Sequence, residues 1–150
     1  MATSTSHARA VRPALLTGFG LGAFLDGIVL HQVLQWHHLV EERLPVEDVP
    51  TLRDNVFWDG VFHLVSWVLV LVGLLWLSHD GDSARALGRR RLYGLLLAGW
   101  GAFTLVDQVL LHLLLRAHTV RIDGDPLLYE TGYTLLGVAL VLVGWRLARR

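Results

Sequence analysis

Four apolar stretches dominate this 150-residue chain, and each is long enough to cross a lipid bilayer as a helix. A helical span takes about 20 residues, because each residue adds about 1.5 Å along the axis. Hydrophobic residues make up 53% of the chain and charged residues only 17%, whereas soluble domains have about 25% charged residues. The sequence predicts an all-α integral membrane four-helix bundle, a single transmembrane domain over 1–150 with spans near 14–39, 55–77, 87–115 and 126–147.

Arginine is concentrated in the N-terminal tail, in the connection between helices 2 and 3 and at the C-terminus, whereas the first connection is acidic. These arginines are Arg9 and Arg12, Arg85 and Arg89 to Arg91, and Arg146, Arg149 and Arg150. Because cytoplasmic loops carry excess Lys and Arg, we expect a multi-pass protein of the bacterial cytoplasmic (inner) membrane with both termini cytoplasmic. The expected partner of the apolar spans is the lipid bilayer. The formal net charge is +0, so a nucleic acid is not expected as a partner.

One polar spacing occurs twice inside the apolar spans, as Asp26-x4-His31-x5-His37 and as Asp107-x4-His112-x5-His118. Glycines repeat at the same offset, for example Gly18 and Gly99. Each half of the chain crosses the membrane and returns, so the two halves have the same orientation and a pseudo-twofold axis along the membrane normal. The bundle is therefore predicted to consist of two tandem helical hairpins related by pseudo-twofold symmetry.

Ionisable side chains are unfavourable inside a bilayer, and where they occur they usually mark a functional site. Helical rise places five of them in one layer, roughly 8 to 13 Å below the outer helix ends. We predict that this layer binds a metal through His31, Asp59, His63, His112 and Glu130.

Five further polar residues are expected at supporting or rim positions. A spacing of five rotates Asp26 and Asp107 by roughly 140° from the following histidine on a regular α-helix, so they are expected on another face unless the helix is distorted. They lie deeper and are expected to support the ligands or join helices. The remaining three, His37, His38 and His118, are expected near the outer surface.

The available donor atoms limit which metals such a site can hold. The chain has no cysteine and one methionine, which excludes thiolate sites and disfavours Cu(I). Imidazole and carboxylate ligands suit Fe, Zn, Mn or Cu(II). The predicted function is that of an integral membrane metal-binding protein with a mononuclear or dinuclear non-haem redox centre in the outer half of the bundle. A metal-dependent membrane oxidoreductase is the corresponding enzyme class.

Two alternatives stay open at this point. The first is a haem-binding protein with His31 and His112 as axial ligands. The second is a protein that holds or delivers a metal for a respiratory complex, with a membrane protein partner or a homodimer as the expected protein contact. A transport pathway is disfavoured, because the inner halves of helices 2 and 4, residues 68–77 and 135–144, are almost free of polar groups.

Two motifs resemble those of a known family. Residues Gly18 to His38 read GFGLGAFLDGIVLHQVLQWHH, and Phe57 to His63 read FWDGVFH. Both are similar to signatures of an uncharacterised bacterial family of four-span membrane proteins, known as a domain of unknown function. The resemblance covers most of the chain and implies the four-span architecture. That family has no established activity, so the resemblance implies no reaction.

Overall fold

The computed structural model describes residues 2–79 and 81–149, with only the backbone of residues 2–8, and no β-strand occurs among them. Met1, Asp80 and Arg150, the last of which belongs to the basic C-terminus, lie outside the described residues. In chain order the helices are α1 (Ala2–Asp26) with a π-helical continuation (Gly27–Val33), α2 (Val49–His79), α3 (Gly81–Leu87), α4 (Arg89–Asp107) with a π-helical continuation (Gln108–Leu114), and α5 (Pro126–Arg149).

Four of these helical segments are long and apolar enough to cross a membrane, which confirms the predicted all-α membrane bundle. They are Arg9–Val33, Val49–His79, Arg89–Leu114 and Pro126–Arg149. The first span ends earlier than predicted, at Val33 and not near residue 39. The second span also begins earlier than predicted, at Val49.

Helices α1 and α4 form the centre of the bundle. Helix α1 packs against α2 and α4, and α5 packs against α4, while no backbone contact joins α2 to α5 in the described part of the chain. The close approach of α1 to α4 depends on the repeated glycines. A Cβ atom at Gly18 would collide with the backbone of Leu96, and one at Gly99 would collide with the backbone of Leu15. Small residues at these positions therefore let the two central helices pack tightly.

The two ends of the bundle have different compositions. At one end a small apolar core joins α1, α3, α4 and α5 through Ala10, Ala14, Leu87, Leu95 and Ala148. At the other end the long connections 34–48 and 115–125 meet. There the backbone N–H of Ile122 donates to the Trp36 carbonyl at 3.2 Å, and that of Glu42 donates to the Ala117 carbonyl at 3.1 Å. The spans therefore run alternately up and down, with both connections at one end.

The two π-helical segments end in the same way, with a sharp reversal of the chain. Gln35 has a φ of 49° and Arg116 a φ of 47°, both in the left-handed region that non-glycine residues seldom adopt. Equivalent backbone hydrogen bonds close the two turns, from Trp36 N to Leu30 O (2.9 Å) and from Ala117 N to Leu111 O (2.8 Å). After each reversal the next histidine, His37 or His118, turns back into the protein and is buried.

Candidate metal centre

The π-helical segments bring each repeated aspartate next to the histidine that follows it. In a π-helix the backbone hydrogen bonds join residues five apart, so residues at that spacing lie about one turn from each other. Asp26 Oδ2 lies 3.7 Å from His31 Nε2, and Asp107 Oδ2 lies 3.1 Å from His112 Nε2. These aspartates were expected on another face of a regular α-helix, and the π-helical segments are the distortion that brings them to the histidines.

His37 and His118, expected near the outer surface, lie inside the bundle with side chains only 2% and 1% exposed. Their rings stack with centroids 4.4 Å apart and an interplanar angle of 6°. His37 also lies 4.5 Å from the His31 ring and 6.4 Å from the His112 ring. His118 lies 4.5 Å from the His112 ring and 5.9 Å from the His31 ring. These four imidazoles form one contiguous group, the histidine cluster.

The histidine cluster and the two aspartates form two equivalent groups that could each hold a metal ion. One group is Asp26, His31 and His37, and the other is Asp107, His112 and His118. In each group one potential ligand atom per residue lies within 4.8 Å of the other two. Each group offers two imidazoles and one carboxylate, and the internal repeat relates them. We call them the Asp-His-His groups.

Carboxylates behind the cluster orient two of its histidines. His31 Nδ1 donates to Asp59 Oδ1 at 2.9 Å, and His112 Nδ1 donates to Glu130 Oε2 at 2.8 Å. With the proton on Nδ1, the lone pair of Nε2 is free for a metal, and this arrangement is usual for metal-binding histidines. Both Nε2 atoms lie on the side of the repeated aspartates.

The other two histidines of the cluster are held neutral by burial. His37 Nδ1 donates to the Val120 carbonyl at 2.8 Å. Burial, together with the nearby His31, lowers the pKa of His37 to about 3. Burial and the neighbouring His37 also lower the pKa of His118 well below its ordinary value. Among the described residues, the Nε2 atoms of His31, His37 and His118 have no hydrogen-bond partner.

Asp59 and Glu130, predicted as ligands, have both of their carboxylate oxygens engaged in hydrogen bonds. In addition to His31, the Asp59 oxygens accept from His38 Nδ1 at 2.6 Å and from Leu39 N at 2.8 Å. Glu130 accepts equivalently from Val120 N at 2.8 Å. The two carboxylates therefore orient the histidines from behind and lie outside the two Asp-His-His groups. His38, expected at the rim, is half-buried against Asp59.

His63, also predicted as a ligand, lies outside both Asp-His-His groups. Its Nδ1 donates to the Asp59 carbonyl of the same helix at 2.8 Å, and its ring meets the Phe24 ring edge-on at 5.8 Å. Its Nε2 faces Gly27, where an added Cβ atom would lie only 2.8 Å away. Helical rise gave the depth of His63 but not its direction around the helix axis.

Tyr133 is a polar residue of the site that the sequence reasoning missed. Its hydroxyl donates to Asp26 Oδ1 at 2.9 Å and lies 3.3 Å from Asp107 Oδ2, so one group connects both halves. Its ring stacks on His112 at 5.7 Å, and Phe62 stacks on His31 at 5.5 Å. Aligning α2 with α5 on Asp59 and Glu130 places Phe62 opposite Tyr133, and this alignment was the available signal.

The comparison with family models agrees with this architecture. A model described as "Predicted membrane protein (DUF2243)" matches residues 13–150, which include both halves of the repeat and every residue of the site. No curated protein and no solved structure gives a significant match. The resemblance inferred from the two motifs is thereby confirmed, and the chain belongs to the DUF2243 family of predicted membrane proteins.

Proposed function

We propose that this membrane protein binds two transition metal ions at the histidine cluster, one in each Asp-His-His group. The observation that carries the proposal is the convergence of buried, unpartnered Nε2 atoms on two aspartates. An unsatisfied buried polar group costs about 1 to 3 kcal/mol, and several in one place are seldom retained without a ligand. Metal coordination would satisfy them together.

The donor set supports a non-haem metal with open coordination positions. Two imidazoles and one carboxylate form the ligand set of many non-haem iron sites, and the same atoms also suit Zn, Mn and Cu(II). Bound iron, manganese or copper would supply one-electron redox chemistry, and we therefore propose a metal-dependent membrane oxidoreductase as the enzyme class. Dinuclear sites also occur in the cores of other helix bundles.

The surrounding residues of this chain would position the ligands. Asp59 and Glu130 hold the ring orientation and the Nδ1 proton of His31 and His112. Outer partners of this kind change metal affinity by about 10- to 100-fold when they are removed. Tyr133 would keep the two aspartates at a fixed separation.

Haem ligation by His31 and His112 receives less support. The stacked rings of His37 and His118 each contact both of these histidines, so a porphyrin between the axial ligands would have to displace them. A metal-holding or delivery protein for a respiratory complex would use the same Asp-His-His groups. It would differ by releasing its metal to an added membrane partner.

The test is purification in detergent, followed by elemental analysis and an absorption spectrum. We expect two metal ions per chain, loss of one ion in His31→Ala or His112→Ala, and loss of both in the double variant. His79→Ala, an exposed histidine at the other end of α2, is the matched control and retains the metal. Full metal retention in the double variant, or no metal uptake by the unaltered protein, would overturn the proposal. A Soret band with stoichiometric iron would establish the haem alternative instead.

A further inference from the structure

A cavity of about 330 Å³ lies beside the histidine cluster, between the first span and α5. Ligand pockets in proteins have volumes of about 300 to 1,000 Å³, so this cavity can hold a small ring. Its lining is mostly apolar and includes the aromatic residues Trp36, Trp100, Tyr129 and Tyr133. Because the cavity lies next to the cluster, a molecule bound in the cavity would be close to any chemistry at the cluster.

The polar groups of this cavity belong to the candidate metal centre itself. Asp26 and Tyr133 both line it, and the Tyr133 hydroxyl donates to Asp26 Oδ1 at 2.9 Å. Other polar groups of the lining are already engaged: the Thr104 hydroxyl donates to the Trp100 carbonyl, and the Tyr129 hydroxyl accepts from Arg121. A ligand head in the cavity would therefore meet one carboxylate and one phenol.

The rim of the cavity is exposed within the membrane-spanning segments. Leu25, Leu128 and Leu136 line the cavity and are 40%, 65% and 47% exposed. Exposed leucines inside a span face lipid, so a molecule dissolved in the bilayer can reach the cavity without crossing water. An apolar tail on such a molecule would stay among the lipid chains.

We propose that this cavity binds the ring of a membrane-soluble quinone or quinol. Aromatic side chains favour stacked or edge-on contact with a planar ring. Tyr133 can donate to a quinone carbonyl in place of Asp26, and Asp26 can accept from a quinol hydroxyl. A phospholipid acyl chain would fill the volume but offers no donor or acceptor to the hydrogen-bonded pair of Tyr133 and Asp26, which disfavours it. The functional reason for a quinone at this position is the proposed metal centre, so in this respect the inference rests on the proposed function.

Gly132 is a position of the cavity lining where a side chain can be added without disturbing the packing. It lines the cavity, and a Cβ atom added there meets no atom within 4 Å. The variant Gly132→Leu would add a side chain at the cavity lining without a collision at its Cβ atom. Gly60→Leu is the matched control, because Gly60 also lies within a helix with open space at its Cβ position but does not line this cavity. Tyr133→Phe removes the hydroxyl and keeps the ring.

The experiment titrates the detergent-purified full chain with a decyl-substituted benzoquinone. Saturable quenching of tryptophan fluorescence reports binding, since Trp36 and Trp100 line the cavity. We expect at least tenfold weaker binding in Gly132→Leu, several-fold weaker binding in Tyr133→Phe, and binding within twofold of the unaltered protein in Gly60→Leu. Equal binding in Gly132→Leu and Gly60→Leu would overturn the inference. Equal displacement of the quinone by a saturated phosphatidylcholine, with no effect of Tyr133→Phe, would assign the cavity to lipid.

Elemental analysis of the same samples separates this inference from the proposed function. Bound metal without saturable quinone binding would overturn the quinone site and leave the metal centre standing. Quinone binding that Gly132→Leu removes, in a protein that takes up no metal, would overturn the metal centre and leave the quinone site standing.

Discussion

Asp59 contacts more parts of the candidate site than any other side chain described above. It is fully buried, and its two oxygens accept from His31, His38 and the backbone of Leu39. It therefore joins the second helix to the first span and to the connection that follows. Its loss affects ring orientation, protonation and loop position at once.

We expect Asp59→Asn to weaken metal binding about 10- to 100-fold, because the amide removes the negative charge behind His31 and leaves one acceptor oxygen for three donors. Competition with a chelator of known affinity measures the change. Asp54→Asn, an exposed position on the same helix, is the control and should bind metal normally. Unchanged affinity in Asp59→Asn would mean that His31 does not depend on this carboxylate.

The burial of His37 and His118 predicts how the stability of the metal-free protein depends on pH. Burial lowers the pKa of His37 to about 3 and that of His118 well below 6.5. Below pH 6.5 the unfolded chain therefore binds protons that the folded chain excludes. Stability is complete above that pH and falls as the pH drops toward 3, by at most about 1.4 kcal/mol per pH unit for each histidine.

The check is the thermal unfolding midpoint of chelator-treated protein in detergent between about pH 7.5 and about pH 5. We expect the midpoint to fall on acidification, and the slope to shrink in the double variant His37→Asn, His118→Asn. A midpoint of the unaltered protein that does not change over this range would contradict the burial of neutral imidazoles.

At the residue scale, the sequence predicted which types of residue come together at the site. It did not predict the direction in which every side chain points. His31 and His112 were predicted as ligands because imidazoles inside apolar spans are rare and their spacing repeats. The interior placement of His37 and His118 depends on the left-handed turns at Gln35 and Arg116, which no local pattern marks. Tyr133 was missed because a tyrosine inside a span usually has only a packing role.

The two π-helical segments are the elements that create the site. A π-helical segment is equivalent to an α-helix with one residue inserted, and such segments are frequent at functional sites. The spacing of five between Asp26 and His31, and between Asp107 and His112, equals the π-helical hydrogen-bond period. This agreement between the two spacings can be read from the sequence. The rotation of a regular α-helix, however, predicts that each aspartate does not contact the histidine five residues later.

A single-residue deletion tests the role of the π-helical segment. Without Ile28 the segment can become α-helical, and Asp26 and His31 would then be four apart, again on one face. We therefore expect the Ile28 deletion to retain both metal ions, as measured by elemental analysis. Deletion of Leu64, an exposed residue of the regular helix α2, would rotate the rest of that helix by about 100° and lower the yield of folded protein.

The result that would contradict this expectation is loss of metal from the Ile28 deletion while its circular dichroism stays helical. The point substitution Ile28→Ala is the control for loss of the side chain alone, since it keeps the length of the π-helical segment. It should resemble the unaltered protein.

For the whole molecule, the charge distribution predicts how the bundle sits in the membrane. The connections 34–48 and 115–125 share one end, which is the end nearer the histidine cluster, and α3 with its neighbouring arginines lies at the other. Because the arginine-rich end is expected to be cytoplasmic, the cluster is expected in the outer half of the bilayer.

The absence of native cysteine makes this orientation simple to measure. We expect Glu42→Cys and Asp123→Cys to react with a membrane-impermeant maleimide in intact bacterial cells, and Arg85→Cys to react only after permeabilisation. All three positions are exposed, so accessibility within the protein does not limit the reaction. The reverse labelling pattern would show that the cluster faces the cytoplasm.

The general architecture was predictable because a bilayer leaves a chain few choices. Backbone groups in lipid must be paired within the segment, so long apolar stretches become helices. The repeat then indicated two similar hairpins. The central position of α1 and α4 was less accessible to sequence reasoning, since all four spans are apolar and only contacts such as Gly18 with Leu96 distinguish inner from outer helices.

The pairing of Tyr133 with Phe62 bears on how such a chain could arise. In a complex of two identical hairpins both positions would carry the same side chain, so two phenols would compete for the aspartates or two phenyl rings would leave them without a donor. Fusion of the two copies into one polypeptide lets the positions diverge, and a single hydroxyl then lies between Asp26 and Asp107. The two halves consequently differ in chemistry despite their repeated polar spacing, and two ions bound there would differ in affinity and in redox potential.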